Sequence, residues 1–302
     1  MLDFRHFTVE DKQIYEKYLF ASDIRGCEYS FANLYLWGRQ SFAIVNGSII
    51  MFSQFDRRTV YPFPIGGDTK SAIDAIIADS KARGIPCRIT GVLESEKELL
   101  EALYPQKFRF HCDEGSFDYV YDINDLAELK GKKYHSKKNH FNRFCEEHPD
   151  YRIEPIDKHN AVAVLEMVNE WYEAKLADNP NSDYHMEKAA IEKALKHFEE
   201  LELEGLVLTN NGEILAMTVG SRLSSDTLDV HFEKAKAGIN GAYAAINCEF
   251  ARYIRDKHPE IKYLDREEDM GLEGLRKAKR SYHPHHQVYK CWACLLEDGY
   301  DY

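Results

Sequence analysis

The order of strands and helices repeats between the halves of this chain, and that repeat limits the fold more tightly than any single motif. In the second half, apolar residues recurring every second or every 3.6 residues predict a strand over 151–155 and helices over 160–176 and 186–203. Three antiparallel strands follow over 205–209, 213–222 and 227–233, separated by Asn210-Asn211-Gly212 and Ser224-Ser225. A helix over 241–256, a strand over 261–264, a helix ending near Ser281 and a strand over 287–296 complete it. The first half gives a helix (9–20, capped by Thr8 with Asp11 three residues on), a short helix (28–37), and strands over 42–45, 48–53 and 59–63. It continues with a helix (69–82), a strand (87–90), a helix (94–103) and strands near 108–112 and 117–121. Its hairpin turns on Asn46-Gly47, a pair that accepts two positive φ angles. Similar order without similar letters implies two similar domains, 1–123 and 151–302, around a basic helical connector at 124–150. The fold class is α/β (α+β), each domain a mixed, mostly antiparallel sheet flanked by helices.

Residues 124–145 read as one long helical segment. Lys130, Lys132, Lys133, Lys137, Lys138 and Arg143 lie there with no acid between Glu128 and Glu146. In a chain of net charge −12, such a run is either a solvated face or a phosphate-binding patch, with Asn139, His140 and Asn142 adding donors. The overall negative charge disfavours non-specific nucleic-acid binding and points away from DNA, without excluding a local basic groove. No apolar run approaches the length of a membrane span, and residues 1–20 mix charges throughout, so a cytoplasmic protein without an integral membrane segment is expected. Seven cysteines without paired spacing suit reduced thiols better than disulfides.

The densest chemistry lies at 262–282. Asp265, Glu267, Glu268 and Asp269 open a helix whose far end carries Arg276, Lys277, Lys279 and Arg280, following the helix dipole. Four acids in five residues repel one another unless a cation sits among them. Alternation on 227–233 sets Asp229, His231 and Glu233 on one strand face. That face is either solvent-exposed or part of a cleft.

Three long motifs carry a family likeness: GKKYHSKKNHFNRF at 131–144, HFEKA at 231–235 with GAYAAIN at 241–247, and REEDMGLEGLRKAKRSYHP at 266–284. With EYSFANLYLW at 28–37, they resemble an uncharacterised bacterial family related to the C-terminal domain of phosphatidylglycerol lysyltransferases. The element order is similar to two tandem GNAT-like domains, as in Fem aminoacyl-tRNA-dependent transferases. The resemblance implies transfer of an acyl or aminoacyl group to a small-molecule or peptide amine. The donor would be a CoA thioester or an aminoacyl-tRNA, with tRNA the candidate partner and no cofactor held tightly. A non-catalytic GNAT-like protein that binds CoA, nucleotide or RNA is the alternative. The large membrane-spanning part of those lysyltransferases is missing from this sequence, which weakens the case for a lipid acceptor.

On that basis the candidate catalytic residues are His231, Glu233, Glu267, Glu268, Asp269 and Tyr282. His231 or Glu233 would take a proton from the acceptor amine, the three acids would hold an ammonium group, and Tyr282 would protonate a leaving group. Donor binding falls to KAGINGA at 236–242, which only approximates the pyrophosphate loop of acetyl-CoA users. There Gly238, Asn240, Gly241, Ala242 and Tyr243 offer backbone N–H groups at a helix start, and Lys137, Lys138, Asn139, Arg276 and Lys279 offer side-chain donors. His283, His285, His286, Cys291 and Cys294 resemble a zinc cluster. Residues three apart on a strand face opposite ways, however, so no metal is expected there.

Overall fold

The computed structural model describes residues 1–22, 24–55, 58–180 and 184–296. It contains two seven-stranded mixed sheets. The strands are β1 (Arg5–His6), β2 (Gln40–Val45), β3 (Ser48–Phe55), β4 (Arg58–Pro62), β5 (Arg88–Val92), β6 (Phe108–Cys112) and β7 (Asp118–Asp122). They continue as β8 (Arg152–Pro155), β9 (Glu204–Asn210), β10 (Glu213–Arg222), β11 (Thr227–Ala235), β12 (Tyr263–Asp265), β13 (His286–Val288) and β14 (Cys291–Leu295). One sheet runs β1-β2-β3-β4-β5-β14-β6, the other β13-β7-β12-β11-β10-β9-β8. Most pairings in each are antiparallel, and β4 with β5 and β11 with β12 are parallel.

The chain divides into two compact units. The first comprises Met1–Asp118, Glu268–Leu272 and Gln287–Tyr302; the second comprises Tyr119–Glu267 and Glu273–His286. The single strand expected at 287–296 is in fact two, β13 beside β7 and β14 between β5 and β6. That insertion sets Cys291 directly opposite Cys112, 4.2 Å apart at Cα, where they form a cross-strand disulfide. The expectation of seven reduced thiols is therefore corrected. The partners are 179 residues apart, and only the strand insertion brings them together.

The connector is not one helix. A short helix Ile123–Glu128 stops at Leu129 (φ 47°), Gly131 turns the chain (φ 90°), and Lys132–Tyr134 forms a 3-10 turn before the helix His135–Glu147. The Thr8–Asp11 cap is present, with Thr8 N–H donating to Asp11 Oδ2 at 2.9 Å. The helix expected over 186–203 ends at Lys196.

In the second unit the helix Ala242–Lys257 covers the sheet. Ala242, Ala245 and Ala251 let its backbone come close, while Ile246, Phe250 and Ile254 fill the space against Leu208, Leu215 and Leu264. Each large apolar side chain buried here contributes about 1.5–3 kcal/mol, enough to fix the helix start against the strand ends. Among the described residues no helix is long and apolar enough to cross a membrane.

Candidate functional site

At the start of that helix lies a cavity of about 170 Å³ lined by Lys137, His140, Ile239, Gly241, Ala242, Tyr243, Ala244 and Tyr282. Two separate sequence segments meet here because the helix His135–Glu147 packs against the helix Ala242–Lys257, and the contact requires glycine. Gly241 has φ 76°, and a Cβ there would stand 2.1 Å from the carbonyl oxygen of His140. The Lys137 ammonium lies 4.0 Å from the centre of the Tyr282 ring. Burial, then the nearby Arg266, lowers its pKa. Arg266 lies over the same ring at 5.0 Å. Its Nη2 donates to Glu233 at 2.8 Å, while its buried Nη1 has no hydrogen-bond partner among the described residues. Tyr282 is itself buried, and burial raises its phenol pKa, so the hydroxyl keeps its proton near neutral pH. An ammonium and the backbone N–H groups of a helix start are hydrogen-bond donors of the kind that suits an anion.

Beside the cavity, Trp171 Nε1 donates to the Tyr243 hydroxyl at 3.1 Å. The buried Lys234 lies 4.1 Å from the Trp171 ring and pairs with Glu187 at 2.7 Å.

The polar face of β11 is buried rather than solvent-facing. Asp229 is 0% exposed and His231 8%. His231 Nε2 lies 2.8 Å from Ser221 Oγ, and Nδ1 lies 3.4 Å from both Asp229 Oδ2 and Glu267 Oε1. Glu233 is held by Arg266 and by Asn247 Nδ2 at 3.3 Å. A bulge at Val219/Gly220 accommodates this face: a Cβ on Gly220 would stand 2.4 Å from the Asp229 carbonyl oxygen.

The three consecutive acids after Arg266 separate. Glu267, at φ 58°, turns to His231 in the second unit. Asp269 accepts the Gly271 N–H at 2.8 Å, closing its own turn. Glu268 belongs to the first unit, where it binds an ammonium group, that of Lys290. Lys290 is 3% exposed and donates to Glu28 Oε2 (2.8 Å), Asp118 Oδ1 (2.8 Å) and Glu268 Oε1 (2.9 Å), with Cys27 Sγ at 3.8 Å. Three carboxylates around one ammonium leave an excess of negative charge. Burial, reinforced by Asp118 and Glu28 against the opposing pull of Lys290, pushes the Glu268 carboxyl up to about 7.

The folded protein therefore holds a proton on Glu268 that the unfolded chain releases between pH 4.5 and 7. This contribution to stability is present at acid pH and lost as pH rises through that window. The Glu268 side chain keeps 31% of its surface exposed, so solvent screening reduces the effect to about 1–2 kcal/mol. Glu268→Gln is expected to flatten the pH dependence of the urea midpoint between pH 5 and 8. An unchanged slope would place the proton elsewhere.

Of the donor-binding residues read from sequence, Lys137, Gly241, Ala242 and Tyr243 line the cavity together with Tyr282. Gly238, Asn240, Lys138 and Asn139 are exposed. Arg276 is half-buried, and Lys279 is buried with its ammonium on the Arg266 carbonyl. Sequence reading passed over Arg266, Ser221 and the Lys290 cluster. The available signal was Lys290 itself, a lone charge within the apolar run QVYKCWACLL.

A family model described as "Phosphatidylglycerol lysyltransferase, C-terminal" matches residues 21–294. The chain belongs to this family. A conserved protein of unknown function from Bacteroides thetaiotaomicron shares 37% identity at TM-score 0.92, over 98% of this chain and 100% of that one. L-PGS from Bacillus licheniformis superposes at TM-score 0.66 with 14% identity, over 94% of this chain and 91% of that one. FemX superposes at 0.63 with 11% identity over 99% of each chain. These last two likenesses are of fold, and the two mixed sheets are the tandem GNAT-like arrangement. An uncharacterized protein of Mycoplasmoides gallisepticum is 23% identical over 172 residues, 57% of this chain. The chain spans about half the length of that curated relative, 54%.

Proposed function

We propose that the protein transfers an acyl or aminoacyl group to an amine, and that the donor's anionic part sits at the start of the helix Ala242–Lys257. The observation that carries this reading is the cavity itself. Among the described residues no carboxylate pairs with Lys137, whose ammonium lies over the Tyr282 ring, and both residues line one small space with the start of the helix Ala242–Lys257. Family membership and the names of the structural relatives L-PGS and FemX support a transferase. In the reaction the amine nitrogen bonds to the donor's carbonyl carbon, the bond from that carbon to the donor's oxygen or sulfur breaks with its electron pair, and the proton that the amine loses balances the one that the departing oxygen or sulfur takes up. Aminoacyl-tRNA and acyl-CoA both carry phosphates that suit such a site, and Lys132 and Lys138, in the same basic segment as Lys137, are exposed.

The second reading, binding without transfer, is favoured by one observation. His231 has no exposed side-chain surface, and Glu233 is fixed by Arg266, so neither proposed base reaches an amine as placed.

Thermal-shift titration with CoA, acetyl-CoA and charged tRNA tests both readings, since a ligand that binds the native state raises Tm with its concentration. Lys137→Ala is expected to weaken the stabilising ligand roughly tenfold, about 1.4 kcal/mol. Unchanged affinity in that variant removes the cavity as the donor site. Binding with no modified amine by mass spectrometry selects the second reading.

A further inference from the structure

We propose that Asp229, His231 and Glu267 form a binding site for a divalent transition-metal ion in the second unit. Their ligand atoms lie within 4.8 Å of one another. Imidazole and carboxylate together are a donor set that zinc and its neighbours accept. The spacing fits such an ion: with metal–ligand bonds of 2.0–2.1 Å, the edge of a coordination tetrahedron is about 3.4 Å. His231 Nδ1 lies 3.4 Å from Asp229 Oδ2 and 3.4 Å from Glu267 Oε1. These separations are long for charge-assisted hydrogen bonds, which centre on about 2.8 Å.

The other ring nitrogen supplies an independent observation. A ligating histidine commonly donates its second N–H to an oxygen that fixes the ring, and Ser221 Oγ stands 2.8 Å from Nε2. When Nε2 holds the ring proton and donates to Ser221, Nδ1 presents a lone pair toward two carboxylates. In that tautomer Nδ1 is available as the imidazole ligand atom of the three.

The Asp229 and His231 side chains have no exposed surface, whereas 26% of the Glu267 side chain is exposed. The ion would enter past Glu267 and tie β11 to the turn after β12.

The test uses the full chain, stripped with EDTA and titrated with zinc or manganese chloride. Retention of about one metal per chain after desalting, with Tm rising with free metal, is the expected result. Glu267→Gln, at the partly exposed ligand, should fold by circular dichroism and bind the ion roughly tenfold or more weakly; His231→Gln should do the same. No retained metal and no Tm response in the wild type overturns the proposal. Metal binding equally strong in folded Glu267→Gln also overturns it, because the ion then sits elsewhere, for example at the exposed His285–His286 pair.

Discussion

Lys290→Met is expected to destabilise the protein by about 3–5 kcal/mol at pH 8, the usual cost of removing one partner from a buried ionic group. Methionine keeps the length and much of the apolar volume of lysine, so the lost charge, not a cavity, dominates. What remains is Glu28, Asp118 and Glu268 facing a site with no ammonium. Asp118 is the most exposed to this loss: its side chain has no accessible surface, although the Cys27 N–H still donates to it at 2.9 Å. Burial already raises the carboxyl pKa of Glu28 and Glu268 with Lys290 in place, and removing the lysine raises both further. The folded variant then takes up protons that its unfolded chain does not, so acid favours folding. Urea unfolding followed by circular dichroism should therefore show a large deficit at pH 8 that narrows at pH 5. A variant as stable as wild type at pH 8 would mean that the lysine is not what holds these carboxylates together. Against a typical total stability of about 5–15 kcal/mol, the expected deficit is enough to populate unfolded chains at ambient temperature.

The same cluster shows where sequence reading stops. Local pattern located most elements of both sheets, because alternation on β10 and β11 and the Asn-Gly turn between β2 and β3 are properties of neighbouring residues. Placement of Lys137 beside Gly241 was also within reach, since both lie in motifs that read as anion-binding. Lys290, Glu28, Asp118 and Glu268 meet only because β14 enters the first sheet between β5 and β6 while residues 268–272 return to that unit. Such long-range placement leaves no local periodicity. The acidic turn was read as one site for one cation. Left-handed backbone at Glu267 and Met270 instead sends neighbouring carboxylates in different directions, a choice that costs roughly 1–3 kcal/mol per non-glycine residue and is invisible in composition. The buried histidine on β11 was legible as a residue and not as an environment. Alternation gives the face, but only the packed sheet shows that the face is closed.

Gly241→Ala tests whether the close approach of the two helices builds the cavity. Both Gly238 and Gly241 have left-handed backbone, at φ 81° and 76°, so alanine at either position bears a similar conformational cost of about 1–2 kcal/mol. They differ in surroundings. A Cβ at 238 meets nothing within 4 Å, whereas at 241 it stands 2.1 Å from the His140 carbonyl oxygen and 3.1 Å from Phe144 Cβ. Neither obstacle is the end of a flexible chain, so the helix His135–Glu147 must move, adding about 1–3 kcal/mol of overpacking. Gly241→Ala should therefore lose about 2–5 kcal/mol in urea unfolding and Gly238→Ala about half as much or less. The displaced helix carries Lys137, so Gly241→Ala should also abolish the Tm response to whichever donor stabilises the wild type, while Gly238→Ala retains most of it. Equal losses of stability in the two variants would show that the backbone conformation alone, and not the helix contact, makes glycine necessary at 241. Ligand binding that survives in Gly241→Ala would separate the cavity from the helix contact that frames it, leaving the N–H groups at the helix start as the part that recognises the anion.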